Sequence, residues 1–417
     1  MTLIFPFAPG SVSPSEFALA AESRGHDVIF AVNPRDSEAY GYLRMLAAFG
    51  EVIACSDQEL LQWNFPTSVA GVVAFTDEKL PLAYQLADRL GLPGNDPGAV
   101  GLFVNDKGEQ RRLLNSSGVG FCPTVNIAPG DAWSSDFDSC LPGVLKPTAG
   151  AGSRDTYFVD SAQEVMSLLK GFTSGEKFVL ERRIVGPGNI PGSDWLADYI
   201  SVESYVVDGD VSHIGLTGRL PLAEPAREQG LIFPFSMTPE LDDEAKRGAE
   251  EAIRALNISH GWTHTEMKFD GFGFIPIEVN ARLGGGLASL MPRSGVTEPV
   301  GLAIDLALGL PTEPPRPAAG VAAHIYVQPP QSATGYHQGP HPRELRQLLG
   351  VYRADASRAP GTSLDWRTGS SGRIFDVWIE APELGALRTR LDGLNQFLSE
   401  HVSYSFQGES NGSLDAR

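Results

Sequence analysis

Short apolar runs in the first hundred residues alternate with longer stretches of mixed character. The runs 2–7, 28–32, 51–55 and 71–75 are typical of buried strands. Between the first two, residues 14–24 place apolar side chains at helical spacing. A strand, a helix and a second strand in this order predict βαβ units and a small parallel sheet.

A turn-rich segment separates this first unit from the next. The helix predicted over 80–91 ends on glycine, which suits a helix C-terminus, and residues 93–98 read PGNDPG. We therefore expect an N-terminal βαβ domain over 1–95 and a larger domain over 96–311.

The region about 120–185 has the pattern of a smaller unit inside the second domain. The strand PGVLKP leads into a turn of small residues, TAGAGSRD. A helix at 161–170 then precedes the apolar strand KFVLERRI, and a helix at roughly 105–117 comes before the whole unit. These elements predict a small subdomain of mixed strands and helices.

Strict alternation of apolar and polar residues marks two later hairpins. The first reads YISVESYVVDGDVSHIGLT, with a turn at Asp208 and Gly209. The second joins THTEMKF to IPIEVNARL through the turn DGFG. Between the two hairpins we predict a long loop over 219–234, of the kind that often serves as a lid, and a helix over 240–256.

The second hairpin collects polar side chains on one face. Every second residue of a strand points the same way, so Glu278, Asn280 and Arg282 project together. His264 and Glu266 do the same on the partner strand. If the registers agree, two carboxylates, an amide oxygen and a guanidinium meet in one pocket. Magnesium binds such oxygens together with nucleotide phosphates, so the pattern predicts a metal site for a nucleotide.

The last quarter of the chain predicts a further unit. After a helix at 296–309, a proline-rich linker at 312–320 leads to strands near 321–328 and 373–380 and to a helix at 382–400. This indicates a C-terminal α+β lobe over 312–408. Residues 409–417 are polar and predict a disordered tail.

Composition and charge narrow the class of protein. A chain of 417 residues predicts two to three domains. Its net charge of -19 argues against nucleic acid as a partner. Three cysteines without CxxC spacing indicate neither a disulfide framework nor a zinc site, and no apolar run is long enough to span a membrane. A cytoplasmic enzyme or binding protein is expected.

The glycine-bearing turn after Lys146 has the composition of an anion site. Gly150 and Gly152 let the backbone approach an anion, and successive N–H groups in such a turn form a nest for phosphate. An ammonium in the strand VLKP would be poorly solvated without an anionic partner. The turn fits neither the P-loop nor the dinucleotide-binding pattern, and an ordinary surface turn is the alternative.

Two further positions carry weaker signals. Lys107 lies on a predicted helix, where a solvated lysine is the alternative. Glu181 ends an apolar strand, and such strand ends supply backbone groups for adenine, here at Arg182 and Ile184. An edge-strand salt bridge is the alternative for Glu181.

The order of these motifs resembles the ATP-grasp superfamily of carboxylate-amine ligases. A lysine helix, a lysine strand with a glycine turn, VLER, SVES, HTE and EVNAR follow one another from the βαβ start to the linker at 312. Within the superfamily, WTHTEMKFDG and IPIEVNARLGGG are similar to the amino-acid ligase branch. The resemblance implies an α/β ATP-grasp fold with a Rossmann-like N-terminal domain, a central ATP-binding part and a C-terminal α+β lobe.

The same resemblance implies roles for individual residues. Glu266 and Glu278 would bind Mg²⁺, with Glu278 bridging two ions and Asn280 completing the second, and with Mn²⁺ as a substitute. Arg282 would stabilise the acyl phosphate. The residues implied in ATP binding are Lys107, Lys146, Gly150, Ala151, Gly152, Ser153, Glu181, Arg182, Ile184 and Glu203. The acid that holds the ribose in many relatives is matched here only by Asp198.

The implied function is an ADP-forming ligase that joins an amino-acid carboxylate to an amine. Alternatives are another acceptor or donor, such as a carrier-protein thiol or a γ-carboxyl group, and a nucleotide-binding regulator without turnover. The candidate substrate-binding residues are Arg219, His264, Gly285, Gly286 and Arg293. His264 is either a general base for the amine or a structural histidine. Small-molecule amino acids are the expected partners. The sequence does not give the oligomeric state, and the resemblance leaves a homodimer as one option because relatives often dimerise through the first domain.

Overall fold

The structure is a computed structural model that describes residues 1–65 and 68–406. The predicted tail at 409–417 lies outside the described residues. In chain order the strands are β1 (Thr2–Pro6), β2 (Asp27–Val32), β3 (Glu51–Ala54), β4 (Val69–Val72), β5 (Thr124–Ile127), β6 (Gly143–Pro147), β7 (Tyr157–Val159), β8 (Phe178–Arg182), β9 (Tyr199–Val207), β10 (Asp210–Arg219), β11 (Gly230–Phe235), β12 (Gly261–Phe269), β13 (Phe274–Asn280), β14 (Val321–Val327), β15 (Ala333–Gln338), β16 (Val351–Ala356), β17 (Phe375–Ala381) and β18 (Ser403–Phe406).

Helices cover the sheets and connect their strands. In chain order they are α1 (Pro14–Glu22), α2 (Ser37–Tyr40), α3 (Leu43–Leu46), α4 (Asp57–Leu61), α5 (Leu80–Leu90), α6 (Pro97–Val100), α7 (Lys107–Ser116), α8 (Ala162–Leu169), α9 (Pro239–Ala255), α10 (Leu287–Ser294), α11 (Pro299–Ala307), α12 (Pro342–Leu345) and α13 (Leu384–His401). Short 3₁₀ helices occur at Asp77–Lys79, Ser135–Cys140 and Trp366–Gly372. Across the described ranges, no helix is both long and apolar enough to cross a bilayer.

The N-terminal part forms the predicted parallel sheet. Its strand order is β3-β2-β1-β4, and all three pairings are parallel. Phe5 packs edge-to-face on Phe17 and Phe75, with ring centroids 4.9 and 5.4 Å apart. The apolar runs therefore form strands because both faces of this sheet are covered.

The predicted small subdomain is a separate antiparallel sheet. The order β5-β8-β6-β7 spans residues 124–182, and α8 packs Val165 and Leu169 into its core. This arrangement puts the lysine of β6 and the glutamate of β8 side by side, since Val144 pairs with Glu181 and Lys146 with Val179.

A central sheet of eight strands holds the remaining domain together. Its order is β13-β12-β9-β10-β11-β14-β17-β16, and its pairings are antiparallel. Both predicted hairpins are present as β9 with β10 and β12 with β13. At the first turn Asp208 and Gly209 have φ of 51° and 87°, the left-handed conformation that this residue pair favours.

Two sequence expectations differ from this sheet. The predicted loop over 219–234 is shorter, because its second half is β11, which lies between β10 and β14. The segment after 312 was predicted as a C-terminal α+β lobe, and the structure joins it to this sheet. Its strands β14, β17 and β16 continue the central sheet, and α13 packs on β17 through the same core.

Candidate active site

The hairpin β12–β13 presents its polar face as predicted. Glu266 lies directly opposite Glu278, and His264 lies opposite Asn280. Directly opposed residues of an antiparallel pair share a face, so the two carboxylates converge. The pairing shifts by one residue just after Glu266, which leaves this polar face intact and changes the register only beyond it.

Lys107 reaches this carboxylate pair from α7. Its Nζ donates to Glu278 Oε1 at 2.6 Å and to the carbonyl oxygen of Gly150 at 2.8 Å. Burial lowers the pKa of Lys107, but the charge and hydrogen bond of Glu278 outweigh it, so the net shift is upward. The alternative of a solvated lysine therefore does not describe this side chain.

A buried ion triad lies beside the glycine-bearing turn. Lys146 Nζ is 2.7 Å from Glu181 Oε2, and Arg111 Nε is 3.1 Å from Glu181 Oε1. Burial raises the pKa of Glu181, but the charges of Lys146 and Arg111 lower it overall. Because one carboxylate neutralises only one of two cations, the triad retains a positive charge that favours an anion.

The sequence patterns give no role to Arg111, yet it fixes the site. Its Nη2 donates to the carbonyl oxygens of Pro276 and Ile277 at 2.8 and 3.0 Å, which ties α7 to β13. Lys107 and Arg111 are four residues apart on one helix and so share a face. That spacing is the signal that could have identified Arg111.

Arg282 is held by an acid from the N-terminal part. Its Nη2 and Nε lie 2.7 and 3.1 Å from Asp77 Oδ2, and its Nη2 is 3.5 Å from Asn280 Oδ1. Burial lowers the pKa of Arg282, but Asp77 raises it overall, so the guanidinium stays charged. Asp77 follows β4, and the carboxyl end of a parallel strand is a usual place for ligand contacts. The sequence analysis did not single out Asp77, and this position after a parallel strand is the signal that could have identified it.

Arg219 joins the central sheet to the loop that follows it. Its guanidinium forms an ion pair with Glu228, and its Nη2 donates to Ser201 Oγ at 2.6 Å and lies 3.5 Å from Glu266 Oε1. The side chain is 2% exposed. Arg219 is therefore buried beside Glu266, and Glu228 is an acidic neighbour that the sequence analysis did not reveal.

His264 is paired with a buried carboxylate. Its Nδ1 lies 2.9 Å from both oxygens of Glu203. Burial lowers the pKa of His264, but the charge and hydrogen bond of Glu203 raise it to about 9. The raised pKa favours a protonated ring near neutral pH and so disfavours His264 as the group that takes a proton from an amine. Glu266 responds to this charge: despite burial, the hydrogen bond from His264 and the charge of Arg219 lower its pKa to about 2.

Two cavities meet at the hairpin face. The small cavity, about 300 Å³, is lined by the triad, the glycine turn, Arg182 and Ile184. The large cavity, about 800 Å³, is lined by Arg282, Arg219, His264 and Gly285 and by loops of the N-terminal part. They share a wall. The shared wall consists of Lys107, Ala149, Gly150, Ala151, Gly152, Arg154, Glu228, Glu266 and Glu278.

The glycine turn faces both cavities in an unusual backbone conformation. Gly150, Gly152 and Ser153 have φ of 126°, 67° and 56°. Only glycine adopts the first of these readily, which explains its presence at the start of the turn. Ser153 lines only the small cavity and not the large one.

Four residues that were considered for nucleotide or substrate binding line neither of the two cavities. Glu203 is fully buried and accepts hydrogen bonds from His264 and Thr217, so it supports the site from behind and does not reach the small cavity. Asp198 is engaged by Lys268 and by the N–H of Gly188.

Gly286 and Arg293 also lie away from the predicted contacts. A side chain at Gly286 would meet His324 Nδ1 at 2.7 Å, so this glycine allows close packing with β14. Arg293 stacks on Tyr352, with 4.4 Å to the ring centroid, and pairs with Glu380 at 3.6 Å. The prediction that these two contact a substrate gains no support from their positions.

The oxygen donors fit a magnesium ion better than a metal held by protein alone. Among the described residues, no group of three or more His, Cys, Asp and Glu is arranged to hold a metal. Magnesium takes few protein carboxylates and completes its coordination with phosphate and water. Glu266 and Glu278, with the buried amide of Asn280 nearby, provide that limited set at the shared wall.

Sequence comparisons place several proteins near this chain. No family model matches it. It is 28% identical over 227 residues to an uncharacterized protein, y4rH, of Sinorhizobium fredii, which covers 52% of this chain and 44% of that protein. It is 26% identical over 272 residues to human carnosine synthase 1, covering 60% and 32% of the two chains. It is also 26% identical over 208 residues to alanine–anticapsin ligase of Bacillus subtilis, covering 45% and 42%. The matched part spans less than half the length of each relative.

Solved structures match nearly the whole chain. An L-amino acid ligase from Bacillus licheniformis has a TM-score of 0.72 at 19% identity and covers 97% of this chain and 98% of its own. The N5-carboxyaminoimidazole ribonucleotide synthetase from Thermus thermophilus has a TM-score of 0.65 at 19% identity, covering 96% and 99%. A biotin carboxylase domain from Hydrogenobacter thermophilus, solved with MgADP, ADP and bicarbonate, has a TM-score of 0.64 at 15% identity, covering 97% and 90%. The fold is that of the ATP-grasp ligases, and the predicted fold class is confirmed.

Proposed function

We propose that this protein is an ATP-dependent ligase that joins an amino-acid carboxylate to an amine and releases ADP and phosphate. The observation that carries the proposal is the shared wall, where Glu266 and Glu278 face each other beside Lys107, between two cavities. An ATP-grasp fold with this wall can bring a phosphate from one side to an acid on the other. The relatives named carnosine synthase and alanine–anticapsin ligase support the same reaction class.

The small cavity is the proposed nucleotide site. Its triad of Lys146, Glu181 and Arg111 retains net positive charge beside the glycine turn, which suits phosphate. Arg182 and Ile184 line the same cavity at the end of β8, where their backbone groups can meet a base. We propose that adenine binds there and that the phosphates extend toward Lys107.

The large cavity is the proposed site of the acid and the amine. A carboxylate is a poor acyl donor, because its leaving group would be oxide. Attack of one of its oxygens on the γ-phosphorus releases ADP and gives an acyl phosphate. The amine nitrogen then attacks the acyl carbon, phosphate leaves, and one proton is lost from nitrogen. Arg282, fixed by Asp77, is placed to stabilise the charge that develops on the transferred group.

Magnesium fits the shared wall, where Glu266, Glu278 and Asn280 would hold it. We propose two ions, with Mn²⁺ as a substitute, which would neutralise phosphate charge and polarise the γ-phosphoryl group. Lys107 holds the Glu278 carboxylate in place at 2.6 Å, so the ligand is oriented before metal and nucleotide arrive.

The reaction can be tested directly. Phosphate release from ATP is measured with Mg²⁺ and pooled amino acids, and products of a matrix of amino-acid pairs are identified by mass spectrometry. We expect phosphate release that depends on an added amino acid. We also expect a product whose mass equals the sum of the two substrates minus one water. Nucleotide binding without release under any mixture would instead support a regulator that has kept the fold. A cytoplasmic location and a homodimer belong to the same proposal, and light scattering of the purified protein tests the dimer.

A further inference from the structure

A segment near the end of the chain touches the glycine turn. The segment is the 3₁₀ helix Trp366–Gly372, which we call the clasp. The N–H of Ser370 donates to the carbonyl oxygen of Gly152 at 2.8 Å, and the N–H of Asp155 donates to the carbonyl oxygen of Arg367 at 3.3 Å. The turn is therefore bonded by backbone to a part of the chain that is more than two hundred residues away.

The contact requires glycine in the clasp. Gly369 has φ of 67° and ψ of -146°, a conformation that residues with a side chain rarely adopt. A Cβ at this position would lie 2.6 Å from the amide nitrogen of Arg154 and closer still to the carbonyl oxygen of Gly152. Both are backbone atoms, so neither can move aside without displacing the turn.

Ser370 also bonds the loop on the other side of the small cavity. The N–H of Glu228 donates to Ser370 Oγ at 2.9 Å, and Gln328 Nε2 donates to the carbonyl oxygen of Ser370 at 3.0 Å. Ser370 is 4% exposed. Glu228 lines both cavities and forms an ion pair with Arg219. One buried serine thus joins the glycine turn to the loop that contributes Glu228 to the shared wall.

The clasp is itself fixed to the rest of the molecule. Trp366 packs edge-to-face on Tyr157 of β7, with ring centroids 5.7 Å apart. Arg358 Nε and Nη2 donate to the carbonyl oxygens of Gly372 and Ser371 at 3.3 and 3.2 Å. A segment held at both ends can transmit position to the turn, whereas a free loop could not.

We propose that the clasp positions the glycine turn and Glu228 relative to each other, so that Gly369 and Ser370 set the geometry of the phosphate-binding part of the site. The proposal rests on the proposed function, because it takes the turn to contact phosphates. Neither residue touches the reacting atoms, and both act as positioning residues through backbone contacts.

Gly369→Ala tests the turn side of the clasp, with Gly361→Ala as its matched control. Gly361 has φ of 89° and is exposed, and a Cβ there would meet no atom within 4 Å. Both substitutions place alanine at a positive φ, but only a Cβ at Gly369 presses on the turn. We expect Gly369→Ala to raise the KM for ATP and the Kd for MgADP by roughly tenfold or more, while Gly361→Ala leaves both unchanged. Calorimetry with MgADP and thermal unfolding are measured for both variants.

The outcomes separate the clasp from the proposed function. MgADP binding by Gly369→Ala equal to that of the unsubstituted protein overturns the clasp. Failure of the unsubstituted protein to bind any adenine nucleotide overturns the proposed function instead.

Ser370→Ala tests the loop side, with Ser371→Ala as its control. Ser370→Ala keeps the N–H bond to Gly152 and removes only the acceptor for Glu228, whereas exposed Ser371 bonds the carbonyl oxygen of Thr368. We expect Ser370→Ala to lower kcat about fivefold with little change in the Kd for MgADP, and to speed hydrogen exchange within 220–229. Unchanged kcat and exchange, as expected for Ser371→Ala, would show that Ser370 has no positioning role.

Discussion

The small and large cavities share one wall but are assembled in different ways. The small cavity is built mostly from two stretches of local sequence, the strand and turn at 144–158 and the strand end at 181–184. The large cavity combines loops of the N-terminal part with Arg219, His264 and Arg282 from the central sheet. A cavity built from short stretches can be found by motif, whereas a cavity between domains depends on how they pack. The comparison predicts that substitutions in the two cavities have separable kinetic effects.

A substitution in the shared wall should have the largest effect on activity, because its residues line both cavities. Glu278→Ala is expected to lower kcat by roughly 10²- to 10³-fold, since it removes the proposed metal ligand and the partner of Lys107. Steady-state rates of ATP-dependent phosphate release measure this. Glu251→Ala, on the exposed side of α9, is the control, and both variants should retain a folded circular dichroism spectrum. Full activity of Glu278→Ala would reject the metal assignment.

Arg282→Ala should impair only the function of the large cavity. In the proposed reaction its partner charge develops during phosphoryl transfer, so we expect kcat to fall about 10²-fold while MgADP affinity stays within about twofold. Single-turnover kinetics and calorimetry provide the two numbers. Arg293→Ala, which removes an arginine paired with Glu380 outside the cavities, should match the unsubstituted protein. Equal losses of rate and nucleotide affinity in Arg282→Ala would place this residue in the nucleotide site.

Lys146→Ala should break the small cavity alone. It removes one of the two cations of the triad, so the site loses its net positive charge. We expect the KM for ATP to rise roughly tenfold, equivalent to about 1.4 kcal/mol, with the KM for the amino acid unchanged. Initial rates with each substrate varied in turn test this. A KM for ATP that does not change would return Lys146 to a structural role.

The smallest expected effect is a change in stability caused by Asp376, which lines neither cavity. Asp376 on β17 pairs with His324 Nε2 at 2.8 Å and with Arg373. Burial raises its pKa, but the hydrogen bond of His324 and the charge of Arg373 lower it to about 2, against an ordinary value of 3.8. A depressed pKa adds stability above the unfolded value, here about 2 kcal/mol, which is lost as the pH falls from about 4 to about 2.

Thermal unfolding of the unsubstituted protein and of Asp376→Asn at pH 6 and pH 3 checks this stability effect. We expect the two midpoints to differ more at pH 6 than at pH 3, with activity at neutral pH retained by the variant. An equal difference at both values would show that ionisation of Asp376 does not stabilise the fold.

The elements with a strong local signal were predicted closely. The hairpin β9–β10 was marked by alternation and by Asp208 and Gly209, and α5 by Gly91, which has φ of 65°. The face shared by Glu266 and Glu278 followed from alternation together with the short DGFG turn. In each case the deciding interactions lie within about twenty residues of one another.

The errors fall where the partner is distant. Residues 230–234 were predicted as part of the loop over 219–234, but they belong to β11, which is stabilised by β10 and β14 on its two sides. Glu203 was assigned to the nucleotide, yet its carboxylate faces His264 on the neighbouring strand, and both are buried. A strand pattern gives the face of a side chain but not what covers that face.

The sequence by itself therefore determined which side chains share a face and which turns can approach an anion, because periodicity and glycine conformation are local properties. Tertiary structure alone decided which distant groups pair with these side chains and turns. Asp77 meets Arg282 across 205 residues, Lys107 meets Glu278 across 171, and the clasp reaches the glycine turn from the far end of the chain. Charge pairing acts through space, and a linear pattern does not encode which chain segments the packing of sheets brings within a few ångströms.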